Sequence, residues 1–166
     1  MNKVKLLFLF PILLITSCVN DDSSSSFSKE TSIISTSEII TSNQEDLSNK
    51  TIHIKINNSL IAPIWLDNDS VNALKELVKN ELVIELHQYG DYEQTGTLGQ
   101  NIISHDEEMD AKCGDIVLYN SNQICFYYAS NHYSFTRLGR LPLSESETID
   151  LLDNDSVALT MFLADK

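Results

Sequence analysis

Basic residues are scarce in this chain: 11 Lys and Arg stand against 24 Asp and Glu, a formal charge of −13. A surface that acidic repels phosphate backbones and anionic headgroups at long range, which argues against nucleic acid or anionic lipid as a partner. No apolar run approaches the roughly 20 residues needed to cross a bilayer core, so membrane attachment has to rest on something shorter. Signatures legible from spacing alone are missing too: there is no Gly-rich phosphate loop, no CxxC, no HExxH and no GxSxG. His53, His87, His105 and His132 lie far apart without ligand spacing, and Ser, His and Asp without geometry make no triad. The reading therefore assigns no metal and no cofactor.

What is present starts at the N-terminus, "MNKVKLLFLFPILLITSC". Lys3 and Lys5 make a basic start, residues 6–15 an apolar run, and small polar residues follow, the layout of an export signal. The tail "ITSC", Ile15 to Cys18, resembles the lipobox of bacterial lipoprotein signals. That resemblance implies removal of residues 1–17, lipidation of Cys18, and anchoring on the extracytoplasmic face of the cell membrane, or in an outer membrane where the host has one. Two or more acyl chains, at about 0.8 kcal/mol per buried CH₂, hold stably. The alternative is an ordinary secretory signal in which Cys18 is incidental. Cleavage takes away two lysines and no acid, leaving nine basic residues against 24 acidic ones, a charge of −15. Export to an oxidising compartment allows a disulfide between Cys113 and Cys125, without requiring one over two free buried thiols.

Residues 18–50 carry the lipidation site and a Ser, Thr, Asn and acid-rich stretch that cannot bury a core, a tether with a reach of roughly 30 Å. From Thr51 the pattern changes. "TIHIKIN" alternates Ile52, Ile54 and Ile56 with polar residues and predicts a strand, and "SLIAPIWL" predicts a second one interrupted at Pro63. "DNDSVNALKELVKN" sets Val71, Leu74, Leu77 and Val78 at helical spacing behind capping residues. "ELVIELHQY" reads as a strand, and residues 90–113 as a long loop with a short strand near Thr97 at most. "GDIVLYN", "ICFYYAS", "YSFTRLGRL" and "VALTMFLAD" supply further strands. "LDNDSV" occurs at 66–71 and again at 152–157; without the Gly and distal Glu of a calcium loop it reads as turn and cap chemistry. "SHDEEMD" at 104–110 reads as a solvated acidic loop.

The order and wording of these elements over residues 51–166 resemble the small bacterial cyclophilin-like domains, relatives of the cyclophilin peptidyl-prolyl isomerases. The phrases that carry the likeness are "IHIKIN", "LDNDSVNALKELV", "GDIVLYNSNQICFYY" and "RLGRL". The resemblance implies a mainly β fold, a cyclophilin-like closed β-barrel with one or two capping helices. It also implies a groove, for which Gln123 and Phe126 are wall candidates, with Trp65, Tyr89 and Tyr92 as a possible aromatic rim. Proline isomerisation crosses a barrier of about 18–20 kcal/mol, and in cyclophilins an arginine from an aromatic-His-Arg phrase weakens the amide resonance. Here the matching strand reads "LHQ", so Gln88 stands where that arginine is expected, and an amide donor carries no charge. "FTR" puts Arg137 in a similar phrase on a later strand, with no basis for moving the role to it. No residue is assigned a catalytic role. The expected function is binding of a peptide or small molecule without efficient catalysis; the alternatives are an isomerase acting on exported proteins and a structural or adhesive surface module.

Fatty-acid labelling tests the anchor: the wild-type chain is expected to take up label and Cys18→Ala to take up none. Label retained by Cys18→Ala would sink the lipidation reading.

Overall fold

The structure, a computed structural model, describes residues 46–166; the expected export signal, Cys18 and the expected tether up to residue 45 lie outside the described residues. Among the described residues no helix is long and apolar enough to cross a membrane.

Alternation decides the first strand. In β1 (Lys50–Ile56) the side chains of Ile52, Ile54 and Ile56 are wholly buried, while His53 faces the other way beside the Phe162 ring. β1 runs antiparallel to the last strand, β10 (Ser156–Asp165), from the pair Lys50 with Asp165 to the pair Ile56 with Leu159. The segment around Pro63 forms two short strands, β2 (Ser59–Ile61) and β3 (Ile64–Trp65), since proline offers no N–H to continue a ladder. β2 pairs with β1, whereas β3 pairs with β9 (Asn131–Arg140) at the far end of the sheet. Ala62 and Pro63 thus carry the chain from one sheet edge to the other, which requires the sheet to curl. Trp65 Nε1 donates to the Ile52 carbonyl at 2.7 Å and ties the seam.

The remaining strands are β4 (Leu82–Tyr89), β5 (Glu93–Thr97), β6 (Glu107–Ala111), β7 (Asp115–Tyr119) and β8 (Gln123–Tyr127). The main sheet is ordered β2-β1-β10-β4-β5-β8-β7-β9-β3, with β6 paired to β9 alone. The molecule is mainly β, a curled half-barrel with two helices. Helix α1 (Asp69–Leu77) starts where Asn68 Oδ1 accepts the Val71 N–H, and it buries Val71 and Leu74. Helix α2 (Glu145–Leu152) starts at a capping box, Ser144 with Glu147. The repeated "LDNDSV" does cap work at both places: the first copy opens α1, and the second closes α2 and leads into β10.

The segment 90–113, expected as a long loop with a short strand near Thr97, holds two strands, and the strand near Thr97 is β5. β5 escapes a hydrophobicity-based reading because its sequence, "EQTGT", has no apolar residue, yet it is central, between β4 and β8. Its polar side chains are used: Gln94 is buried and its Nε2 donates to the Leu152 and Asn154 carbonyls. β6 covers most of the "SHDEEMD" stretch, which is therefore a strand and not a solvated loop; as an edge it keeps carboxylates outward. Both Cys113 and Cys125 are free thiols.

Two hydrophobic clusters result. The larger lies inside the curl against α1 and includes Ile52, Leu74, Leu86, Ile116, Phe126 and Leu138. The smaller lies on the opposite face of the sheet and joins Ala111, Val117, Cys125, Tyr127 and Phe135.

The seam leaves no room at Gly139, where an added Cβ would sit 2.5 Å from the Ile64 carbonyl oxygen. Gly139→Ala is expected to destabilise the fold by about 1–3 kcal/mol, as overpacking does. A chemical denaturation midpoint unchanged from wild type would show that β3 does not close the sheet as described.

Candidate functional site

Strand periodicity separates the residues singled out from the sequence. Along β8, Ile124 and Phe126 enter the large core, and Gln123, Cys125 and Tyr127 point to the opposite face. Three residues apart on a strand, Gln123 and Phe126 cannot line one groove. Phe126 is wholly buried as a core aromatic. Gln88 shares the inner face with Gln94 and Phe126, its cross-strand neighbours. Its Nε2 is committed, lying 2.6 Å from Tyr128 Oη and 3.2 Å from Asp153 Oδ1. Arg137 is tied elsewhere: Nη1 donates to Asp115 Oδ2 at 3.0 Å and Nη2 to the Asp110 carbonyl at 3.4 Å. It opens on a separate polar concavity shared with Lys112, Cys113 and Arg140. Trp65 serves the seam. Gln88, Gln123, Phe126 and Arg137 therefore do not converge.

What does converge is a set of aromatic residues on the outer face. A cavity of about 430 Å³ is lined by Tyr89, Tyr92, Tyr119, Tyr127 and Tyr133, with Phe135, Glu93, Thr95, Gln123 and Asn131. Five of the chain's six tyrosines gather here, too concentrated for scattered surface packing. The rings touch in sequence: Tyr89 edge-on to Tyr92, Tyr92 stacked on Tyr127 at 6.1 Å, Tyr127 edge-on to Phe135 at 5.7 Å, and Phe135 beside Tyr119 and Tyr133. Tyr89 and Tyr133 form an exposed rim, and Tyr127 lies buried at the floor.

Local sequence explains how Tyr92 gets there. The turn from β4 into β5 places Gly90 and Asp91 in the left-handed region. A Cβ on Gly90 would lie 2.2 Å from the Tyr92 ring, so glycine is what lets that ring fold back. The Tyr92 carbonyl in turn accepts the N–H groups of Tyr128 and Ala129.

Glu93 lies among these rings with only 7 % of its surface exposed, and its Oε2 has no hydrogen-bond partner. Among the described residues no Lys, Arg or His lines the cavity. Burial pushes the Glu93 carboxyl above the usual carboxylate range, while the Tyr127 hydroxyl and the Cys125 thiol pull the other way. The Cys125 thiol is itself pushed up to about 12 by burial and then by Glu93, which leaves it un-ionised and a poor nucleophile. Burial, and next the hydrogen bond to Glu93, also raises the Tyr127 phenol. Among the described residues no three of His, Cys, Asp and Glu come together as a metal-holding group.

With curled sheet, seam and helix placement in view, the comparison with known families decides the relationship: the model of the cyclophilin-like family matches residues 54–161, well over half the chain. The chain belongs to the cyclophilin-like family. Searches of curated proteins and of solved structures return no match. In this cyclophilin-like domain the strand phrase expected to bring an arginine brings Gln88 instead, bonded to its own scaffold. Tyr89, Tyr92 and Gln123 were legible candidates that the cyclophilin-like fold does place in one cavity. Glu93 was missed because the short strand expected near Thr97 was not carried back to it. The signal available was the alternation of "YEQTGT", which sends Glu93, Thr95 and Thr97 to one face.

A carboxyl whose pKa is higher folded than unfolded adds stability below the unfolded value and loses it as pH rises through the folded one. The titratable groups facing Glu93 are Tyr89 from β4, the adjacent Tyr92, Tyr119 from β7, Cys125 and Tyr127 from β8, and Tyr133 from β9, leaving it the one carboxyl in the cavity. The stability difference between Glu93→Gln and wild type is therefore expected to grow in the variant's favour as pH rises from about 4 to about 8. A difference flat with pH would mean that Glu93 is not held in a destabilised ionised form.

Proposed function

We propose that this chain is a lipid-anchored extracytoplasmic binding protein whose cyclophilin-like domain holds a peptide or small ligand without efficiently isomerising prolyl bonds. The observation that carries the reading is the tyrosine-lined cavity with a buried, unpartnered carboxylate oxygen at its floor. Its size falls in the range of small-molecule sites, roughly 300–1,000 Å³, and it pairs apolar walls with a few polar groups, as such sites do. The export signal and lipobox-like "ITSC" support the location, and the acidic head on a tether fits a domain held off the membrane.

Isomerisation finds less support. It calls for a charged donor free to reach a prolyl nitrogen, and Arg137 is paired with Asp115, a nearly buried carboxylate. An arginine placed at position 88 would meet the Asp153 carboxylate before any substrate.

Two measurements test the proposal. A proline-isomerisation assay over a panel of X-Pro peptides is expected to show no acceleration by the native chain or by Gln88→Arg; clear acceleration by the native chain would make it an exported folding catalyst. Screening a peptide and fragment library by NMR is expected to shift the resonances of Tyr92 and Tyr127. A folded chain whose spectrum no library member perturbs would favour a structural or adhesive module over a binding one.

A further inference from the structure

The geometry points to a ligand class: we propose that the outer-face cavity takes an alkylammonium group, its charge set against Glu93 and its alkyl faces against the tyrosine rings. This rests on the reading of the cavity as a ligand site and goes beyond it by specifying charge.

The first argument is charge balance. Buried carboxylates in folded proteins are paired or hydrogen-bonded because an isolated one is expensive to desolvate. Glu93 has an oxygen with no partner, and no lining residue can supply a positive charge. The contrast with Asp115 is informative, since that nearly buried carboxylate has both Arg137 and the Lys112 N–H. A cation from solution would complete at Glu93 what Arg137 completes at Asp115.

The walls choose among cations. Calcium takes six to eight oxygen ligands and magnesium keeps an octahedral shell rich in water, whereas this cavity offers one carboxylate among six aromatic rings. An alkylammonium is held well by the faces of aromatic rings, which attract a cation within about 6 Å of the ring centroid. Tyr89, Tyr92, Tyr119, Tyr127, Tyr133 and Phe135 all line the cavity with Glu93, so an ammonium paired with that carboxyl would sit among aromatic rings. At about 430 Å³ the cavity is larger than an ammonium head and has room for the chain attached to it. The formal charge of −13 raises the local concentration of cations and disfavours anionic competitors.

The test uses the full chain in non-ionic detergent, titrated by calorimetry and NMR with three probes. These are choline, butylammonium, and the neutral tert-butyl analogue of choline in which carbon replaces nitrogen. At least one cation is expected to bind about tenfold or more tighter than the neutral analogue, shifting Tyr92 and Tyr127. Glu93→Gln, isosteric and expected to fold at least as stably, should weaken that cation about tenfold and leave the neutral analogue unchanged. A preference for choline would indicate a quaternary, lipid-type headgroup, and one for butylammonium a primary, lysine-type amine; either supports the proposal. Equal binding of cation and analogue would overturn the ammonium assignment while leaving the binding reading intact. Silence of both cations against a chain that does respond in the library screen would overturn it equally, and silence in both experiments would remove the binding reading itself.

Discussion

One strand changes partners halfway, and the rest of the molecule is arranged around that change. The first half of β9, Asn131 to Phe135, pairs with β6, while the second half pairs with β7 and then β3. The junction is held by Thr136, whose hydroxyl accepts the His105 N–H at 2.7 Å and donates to Asp106 at 2.6 Å. Thr136 itself is almost fully buried, while its partners His105 and Asp106 lie at the surface, so the two bonds pin an exposed segment to the sheet. A strand committed wholly to β7 would leave Tyr127 and Cys125 facing solvent. The split lets Phe135 come down on Tyr127, creating the second core and, at its margin, the tyrosine-lined cavity.

Two adjacent residues on β5 show how a polar strand can sit at the centre of a sheet. Gln94 faces inward and binds the end of α2 through two carbonyls, so burying its amide fastens helix to sheet. Glu93 faces outward, and its buried oxygen fastens nothing. Each side chain keeps one oxygen without a partner, Gln94 Oε1 and Glu93 Oε2, but Gln94 spends its amide nitrogen on architecture whereas the oxygen of Glu93 belongs to a carboxyl in the cavity lining.

How much was legible in the sequence follows from where burial and hydrophobicity agree. β1, β4, β7, β8 and β10 alternate or run apolar because one face meets the large core, and α1 shows helical spacing behind Asn68; all were readable. β6 was not, and β5 was legible only as a short strand near Thr97, since β5 is stabilised by side-chain amide bonds and β6 by a single ladder at an edge. The second helix had a signal in Ser144 and Glu147, a capping box three residues apart. At the site, Tyr89, Tyr92 and Gln123 could be named but not assembled, because their meeting depends on the outer-face partnership of β9. Gln123 and Phe126 could have been separated by parity alone. Gln88 was legible as a departure from the arginine phrase, but its bonds to Tyr128 and Asp153 link positions far apart in sequence.

The way Tyr92 is held also bears on how selective the cavity can be. Its carbonyl is clamped by two amides, its ring lies where a Cβ at Gly90 would clash, and the ring stacks on Tyr127. For the binding role proposed above, a wall built this way would need little ordering by a guest, so little affinity would be lost to freezing side chains. The same stiffness denies the wall the freedom with which Met-rich surfaces remould themselves around many partners. Under the proposed binding role, such a wall would choose narrowly among guests, admitting those that fit an existing mould and refusing those that would have to reshape it.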